Sequence, residues 1–360
     1  MKFTKIIALM CAAVLPMSLS AQSTRQFTAT RANEYGLVYS LPTTVVDITI
    51  ETEHVHRAPG EFHNYARRHL AITNAITDES TTVSVRSVTI AARGIADTSN
   101  QWQVQFKSGS AVTMLLTADG RPLTINTEEA VDEAAPELPV AQAAAPTPLQ
   151  TDAARQAMTQ EMVRSSSISK RAELAAQRIF ELREMRSDLL SGQSDNPPAD
   201  GQAMQLVLDN IAGQEAALTA MFAGTEQRYT NVRTITFAPD SDEIDRQVIA
   251  RISPYEGILD ADNLAGAPLT LSLEILERGS LPLTDKGEPK RFPNNGVAYV
   301  IPGTARISVQ YEGRTIAHAD VTLAQLGCVF GIDPALFTDK KAPATLQFDP
   351  TTGAIVQLAQ

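Results

Sequence analysis

The sequence predicts an α+β protein: two β-rich antiparallel units with an antiparallel helical hairpin inserted between them. Three observations predict it. Apolar residues alternate at every second position before residue 127 and again after residue 225, and between these regions two stretches carry apolar residues at helical spacing. A segment without core-forming residues separates the first β-rich part from the helical one. The 360 residues exceed what one hydrophobic core organises, which fits a division into several packed parts.

Residues 1–21 read as a secretory signal: Lys2 and Lys5 precede the apolar run Ile6 to Leu15, Pro16 breaks it, and Ser18-Leu19-Ser20-Ala21 offers small residues for cleavage before Gln22. The run is too short for a permanent anchor and no later segment has the apolar length of one, so the expectation is an exported chain without a transmembrane segment, in the periplasm or outside the cell. Cys11 follows Met10, where lipid attachment needs a small residue. Cleavage would remove Cys11 and leave Cys328 alone, so no intrachain disulfide is expected. Cys328 sits in the apolar run Leu326-Gly327-Cys328-Val329-Phe330 and reads as a small buried hydrophobe. The excess of 41 acidic over 30 basic residues argues against nucleic acid as a partner, because phosphate contacts need clustered Lys and Arg.

The β-rich unit over 22–127 rests on Val46, Ile48 and Ile50 alternating with Asp47 and Thr49, on further strands at 82–91, 101–106, 111–116 and 122–125, and on a turn at Asp119-Gly120. Pro59-Gly60 opens a short helix on which Phe62, Tyr65, Ala66 and His69 share a face. Residues 128–150, acidic and rich in Ala and Pro without Lys or Arg, read as a solvated linker. Over 151–224 one helix is expected from Ser169 to Leu190, with Ala172, Ala175, Ile179, Leu182 and Leu189 on one face and Gly192 as its C-cap. A second is expected from Gly201 to Phe222, and Asp195-Asn196-Pro197-Pro198 turns the chain between them. The unit over 225–360 shows strands at 232–237, 248–252, 269–275, 305–311, 315–321, 344–348 and 354–358, with Gly313 between two of them.

Tyr39-Ser40-Leu41-Pro42-Thr43-Thr44 is echoed by Tyr299-Val300-Ile301-Pro302-Gly303-Thr304, and Gln105-Phe106 by Gln347-Phe348, each ahead of a glycine turn and a final strand. Duplication and coincidence both account for so short an echo.

Together with Pro59-Gly60-Glu61-Phe62, Ala175-Ala176-Gln177-Arg178-Ile179-Phe180-Glu181-Leu182-Arg183 and Pro198-Ala199-Asp200-Gly201, the leader and these pieces resemble an uncharacterised family of secreted Bacteroidota proteins, known as a domain of unknown function. The resemblance spans nearly the whole mature chain. It implies an exported or cell-envelope location in a Gram-negative bacterium, and it implies no activity and no site residues.

Four histidines fall close together: His54, His56, His63 and His69. If the strand from Val45 runs on to Arg57, His54 and His56 share the face of Val46, Ile48 and Ile50, and with His63, Glu51, Glu53 or Glu61 they form a candidate Zn²⁺ shell. The competing reading makes them structural or surface histidines, with His69 on the apolar face of the short helix. The acidic loops at Asp240–Asp245 and Asp260–Leu264 fail as EF-hand loops, since Ile244 and Leu264 stand at the fifth position and Asp245 and Ala265 at the sixth. Arg164-Ser165-Ser166-Ser167 reads as a capped helix start. No catalytic motif and no cofactor fingerprint is present. The functional expectation is a non-enzymatic binding or assembly scaffold of the envelope, its partner an envelope protein or glycan. The alternative is a secreted hydrolase of glycans or peptides, with Zn²⁺ as its one candidate cofactor.

Overall fold

The computed structural model describes residues 23–26, 36–106, 111–133, 137–194, 198, 201–240, 242–339 and 342–360. The leader, Cys11 and most of the turn at 195–198 lie outside the described residues. The strands are β1 (Ser23–Gln26), β2 (Leu37–Ala58), β3 (Ser80–Gln105), β4 (Met114–Leu116), β5 (Pro122–Ile125), β6 (Thr225–Phe237), β7 (Ile244–Ser253), β8 (Gly257–Leu259), β9 (Ala267–Glu277), β10 (Val297–Tyr311), β11 (Arg314–Ile332), β12 (Thr345–Phe348) and β13 (Ile355–Ala359). The helices are α1 (Ala66–Leu70), α2 (Asp152–Ala157), α3 (Gln160–Arg164), α4 (Ile168–Ser191) and α5 (Gly201–Ala223).

The alternation of Val46, Ile48 and Ile50 extends well beyond its apolar centre, because β2 is hydrogen-bonded on both sides, to β3 and from Val46 onward to β6. Three antiparallel sheets result, in the orders β1-β3-β2-β6, β11-β10-β9-β7-β8 and β13-β12-β5-β4. The first two face each other across a core in which Val46, Ile48 and Ile50 meet Ile252, Leu271, Leu273, Ile307, Val309 and Leu323. A second core joins Tyr39, Leu41 and Val104 to Val297, Val300, Leu346 and Phe348. The architecture is α+β, and the two β-rich stretches interleave: β6 completes the first sheet, and β12 pairs with β5. An exposed row of unpaired backbone groups on β2 or β5 would be costly, and strands from the far end of the chain satisfy it.

The expected strands at 82–91 and 101–106 are one continuous strand, β3, bent by register shifts against β2. The helix ends follow their caps. Ser167 Oγ accepts from Lys170 N–H at the start of α4, and Gly192 closes it with φ +74°. α2 and α3 are additional short helices ahead of it, in a stretch where the sequence shows no sustained apolar period. Arg183 and Arg186 of α4 both reach Glu215 of α5. Ala172, Ala175, Ile179, Leu182, Ile211, Leu218 and Phe222 are buried together with Phe62 and Ala66, so the short helix is the surface on which α4 and α5 dock. Gly60 is required there, since a Cβ would lie 2.2 Å from Met221 O.

The segment expected as a solvated linker is exposed over most of its described length but tied at two points. Glu133 accepts from Gly94 N–H and Arg121, and Gln142 exchanges hydrogen bonds with Thr230 on the outer edge of β6.

The sequence echo has a structural counterpart. Ser40 faces Gln101 but Pro42 faces Ala96, while Ile301 faces Cys328 but Gly303 faces Leu323. In both hairpins two steps along one strand oppose five along the other, across Leu41 just before Pro42 in the first and across Pro302 in the second. Ser40 N–H then bonds Gly120 O at 2.9 Å, and Val300 N–H bonds Gly353 O at 3.0 Å, both glycines having positive φ. The second half of the echo is corrected: the glycine turns align Gln347 with Leu115, not with Gln105.

Candidate functional site

β2 carries His54 and His56 toward the end of the first sheet, where the strand leaves the sandwich core and approaches the helices. His54 is buried, 4% exposed, and stacks on Tyr229 of β6 with ring centroids 4.7 Å apart. Its Nε2 lies 3.2 Å from Thr52 Oγ1, and a Cβ on Gly257 would lie 2.8 Å from its Cε1. Loss of hydration therefore lowers its pKa below the ordinary value and favours the neutral ring. His56, on the same side of β2, sits further out: Nδ1 bonds Thr81 Oγ1 at 3.1 Å and Nε2 faces Glu79 at 3.7 Å. His63 Nδ1 lies 2.8 Å from Gly60 O, which only accepts, so Nδ1 carries the proton. His69 packs against Tyr65 and Phe222, as its place on the apolar face predicts.

The candidate Zn²⁺ shell of His54, His56 and His63 is thus distributed over three separate sets of partners. Among the described residues no group of three His, Cys, Asp or Glu side chains converges as a metal shell. The physical reason is depth: same-face neighbours on a strand share a direction, but the sandwich closes over His54 and ends before His56.

Beside these histidines lies a polar cleft of 670 Å³, lined among others by Arg57, Asn74, Asp78, Ser80, Gly224 and Glu226. Arg57 and Glu226 of its wall begin an ion-pair ladder that runs on along β2 and β6. Arg57 Nε donates to Glu226 Oε2 at 2.7 Å, and Arg228 bonds the other oxygen of Glu226 and approaches Glu53 at 3.7 Å. The hydrogen bonds from Arg57 and then from Arg228 hold the Glu226 carboxyl below the usual carboxylate range. Such a wall presents fixed charges of both signs to a small polar ligand. The sequence pointed to the histidines but not to this cleft, since its lining comes from three separated stretches.

The remaining candidates have local partners. Asp260 pairs with Arg233, Asn263 Oδ1 caps Ala265 N–H, Asp245 pairs with Arg246, and Glu243 accepts from Ile275 N–H. Cys328 is half-buried and burial pushes its thiol pKa up, away from the reactive thiolate. No helix of the described residues is long and apolar enough to cross a membrane.

The most deeply buried polar groups tie distant parts of the chain together. Tyr39 is enclosed, and its hydroxyl accepts from Ala298 N–H at 2.8 Å and donates to Ala298 O at 3.1 Å. Burial drives its pKa far above the ordinary tyrosine value. Thr44 Oγ1 donates to Thr351 O and accepts from Ala324 N–H, while Gln325 bonds Thr44 and Pro239. Arg121 donates to Pro350 O at 2.5 Å and to Asp119 and Glu133.

Neither the curated proteins nor the solved structures contain a match to the chain. Residues 35–356, spanning both β-rich stretches, the helices and every polar tie just described, match the profile described as Domain of unknown function (DUF4831), and the chain belongs to that family.

Proposed function

We propose that the protein is exported and works at the cell envelope as a non-catalytic binding or assembly scaffold. The observation that carries this reading is the use of its buried polar groups. Tyr39 and Thr44, with the half-buried Gln325, bond backbone far away in sequence and fasten the first sheet to the second, and Arg121 ties together the chain beside β5 and β12, where a catalytic centre would gather such groups around one solvent-open point. The leader pattern of residues 1–21 supports export. The helices support a partner, since Phe180, Leu190 and Leu206 leave apolar surface open on α4 and α5. An envelope protein or glycan is the class of partner that location offers.

Crosslinking in cells, followed by identification of the attached species, tests the reading: an envelope protein or glycan should be recovered. Turnover of any member of a glycan and peptide panel by the purified protein, stopped by one acidic or His substitution that leaves the melting curve intact, would overturn it.

A further inference from the structure

The smallest sheet is an open repeat. Met114 faces Ile125, Leu115 faces Thr124 and, after a register shift, Leu116 faces Pro122. Leu346 faces Leu358, Gln347 faces Gln357 and, after a register shift at the same step, Phe348 faces Ile355. With the matching bonds from Gly120 and Gly353, β12 corresponds to β4 and β13 to β5. The sheet order β4-β5-β12-β13 is therefore one hairpin followed by its equivalent displaced sideways, each strand antiparallel to the last. Within the chain, β5 binds β12 with Ile125 facing Leu346 and Thr124 facing Gln347. The outer edge of β13 thus corresponds to the edge of β5 that takes a strand, and the outer edge of β4 to the edge of β12 that supplies one.

Among the described residues neither outer edge is paired. Two other edges are protected: Gln142 hydrogen-bonds Thr230 on the edge of β6, and Arg314, His318 and Asp320 lie on β11. β4 and β13 contain no charged residue and no proline. Their apolar side chains are open, with Leu115 39%, Val356 54% and Leu358 48% exposed.

We propose that β13 of one copy adds antiparallel to β4 of a second copy, with Leu358 opposite Met114 and Gln357 opposite Leu115. The intramolecular β5–β12 junction supplies the register and the main-chain hydrogen bonding. The relation is a displacement and not a twofold, so the contact is heterologous and leaves a free edge at each end for further copies. It stands independently of the location and partner proposed above.

Sedimentation of the purified protein over a concentration series should show mass rising through multiples of one chain. Leu358→Lys, with an unchanged melting curve, should abolish every species larger than one chain. On a Cys328→Ser background, oxidising a mixture of Leu115→Cys and Gln357→Cys proteins should give a disulfide-linked dimer that neither forms alone. Wild-type protein at the mass of one chain at every concentration would overturn the proposal. So would Gln357→Cys crosslinking to itself as readily as to Leu115→Cys, which would make the edges meet as like strands.

Discussion

The hairpins β2–β3 and β10–β11 begin alike and end in different surroundings. Both place a tyrosine three residues before a proline, both step out of register there by the same amount, and both receive a glycine turn on the residue after the tyrosine. Yet Tyr39 is fully enclosed with its hydroxyl between two backbone groups of Ala298, whereas Tyr299 is half-buried and rests on the edge of Phe330. After the proline, Thr43 in the first hairpin corresponds to Gly303 in the second, where a Cβ would meet the backbone of Glu277 and Leu326. The bend falls at Leu41, just before Pro42, in the first hairpin and at Pro302 itself in the second, while the packing layer around it decides which side chains the bend can carry.

Substitutions can break or sharpen that contrast. The largest effect is expected at Gly303→Ala, whose Cβ would lie 2.5 Å from Glu277 O, a backbone atom that cannot move aside. A loss of about 3 kcal/mol is expected in urea unfolding, against under about 1 kcal/mol for Thr43→Ala. Equal losses would show that the two positions are not distinguished by packing. Next comes Tyr39→Phe, which strands a buried backbone N–H and C=O and should cost about 2 kcal/mol. Tyr299→Phe should cost within about 0.5 kcal/mol, because it removes no bond of that kind.

The turn glycines should differ less. Gly120→Ala forces a side chain to φ +89° in open space, a cost of about 1 kcal/mol. Gly353→Ala adds a clash with the Pro42 ring at 2.7 Å and should lose about 1 kcal/mol more in the same assay. The mildest effect is a pH slope at His54. Its folded pKa lies below the ordinary 6.5, so the stability of the neutral ring is fully present above 6.5 and is lost as pH falls from there toward the depressed value. His54→Gln should flatten that part of the urea-midpoint profile between neutral and mildly acidic pH. An unchanged slope would place the titrating group elsewhere.

Much of this architecture is legible in local residue patterns. α4 and α5 are readable from apolar spacing and from Gly192 and Gly224, because a helix is built from contacts within one segment. The glycine turns at 120, 313 and 353 are readable for the same reason. The continuity of β3 is not, since the polar stretch between its two apolar runs looks like a loop until β2 pairs with part of it. The polar cleft is equally hidden, because Arg57, Asp78, Gly224 and Glu226 come together only when β6 crosses back to β2. The histidines are the opposite case: spacing along one strand brought His54 and His56 forward, and differing depth gave them different partners.

The sequence by itself determined the α+β composition, the helix ends, the turn glycines and the paired Tyr-x-x-Pro segments, all of which follow from spacing within a few residues. Only the tertiary structure decided that β6 completes the first sheet, that β12 joins β5, and that the two Tyr-x-x-Pro segments stand in matching hairpins. Strand pairing is a choice among edges offering nearly the same backbone groups. That choice is made by which apolar faces can be buried together, a quantity spread over the whole chain.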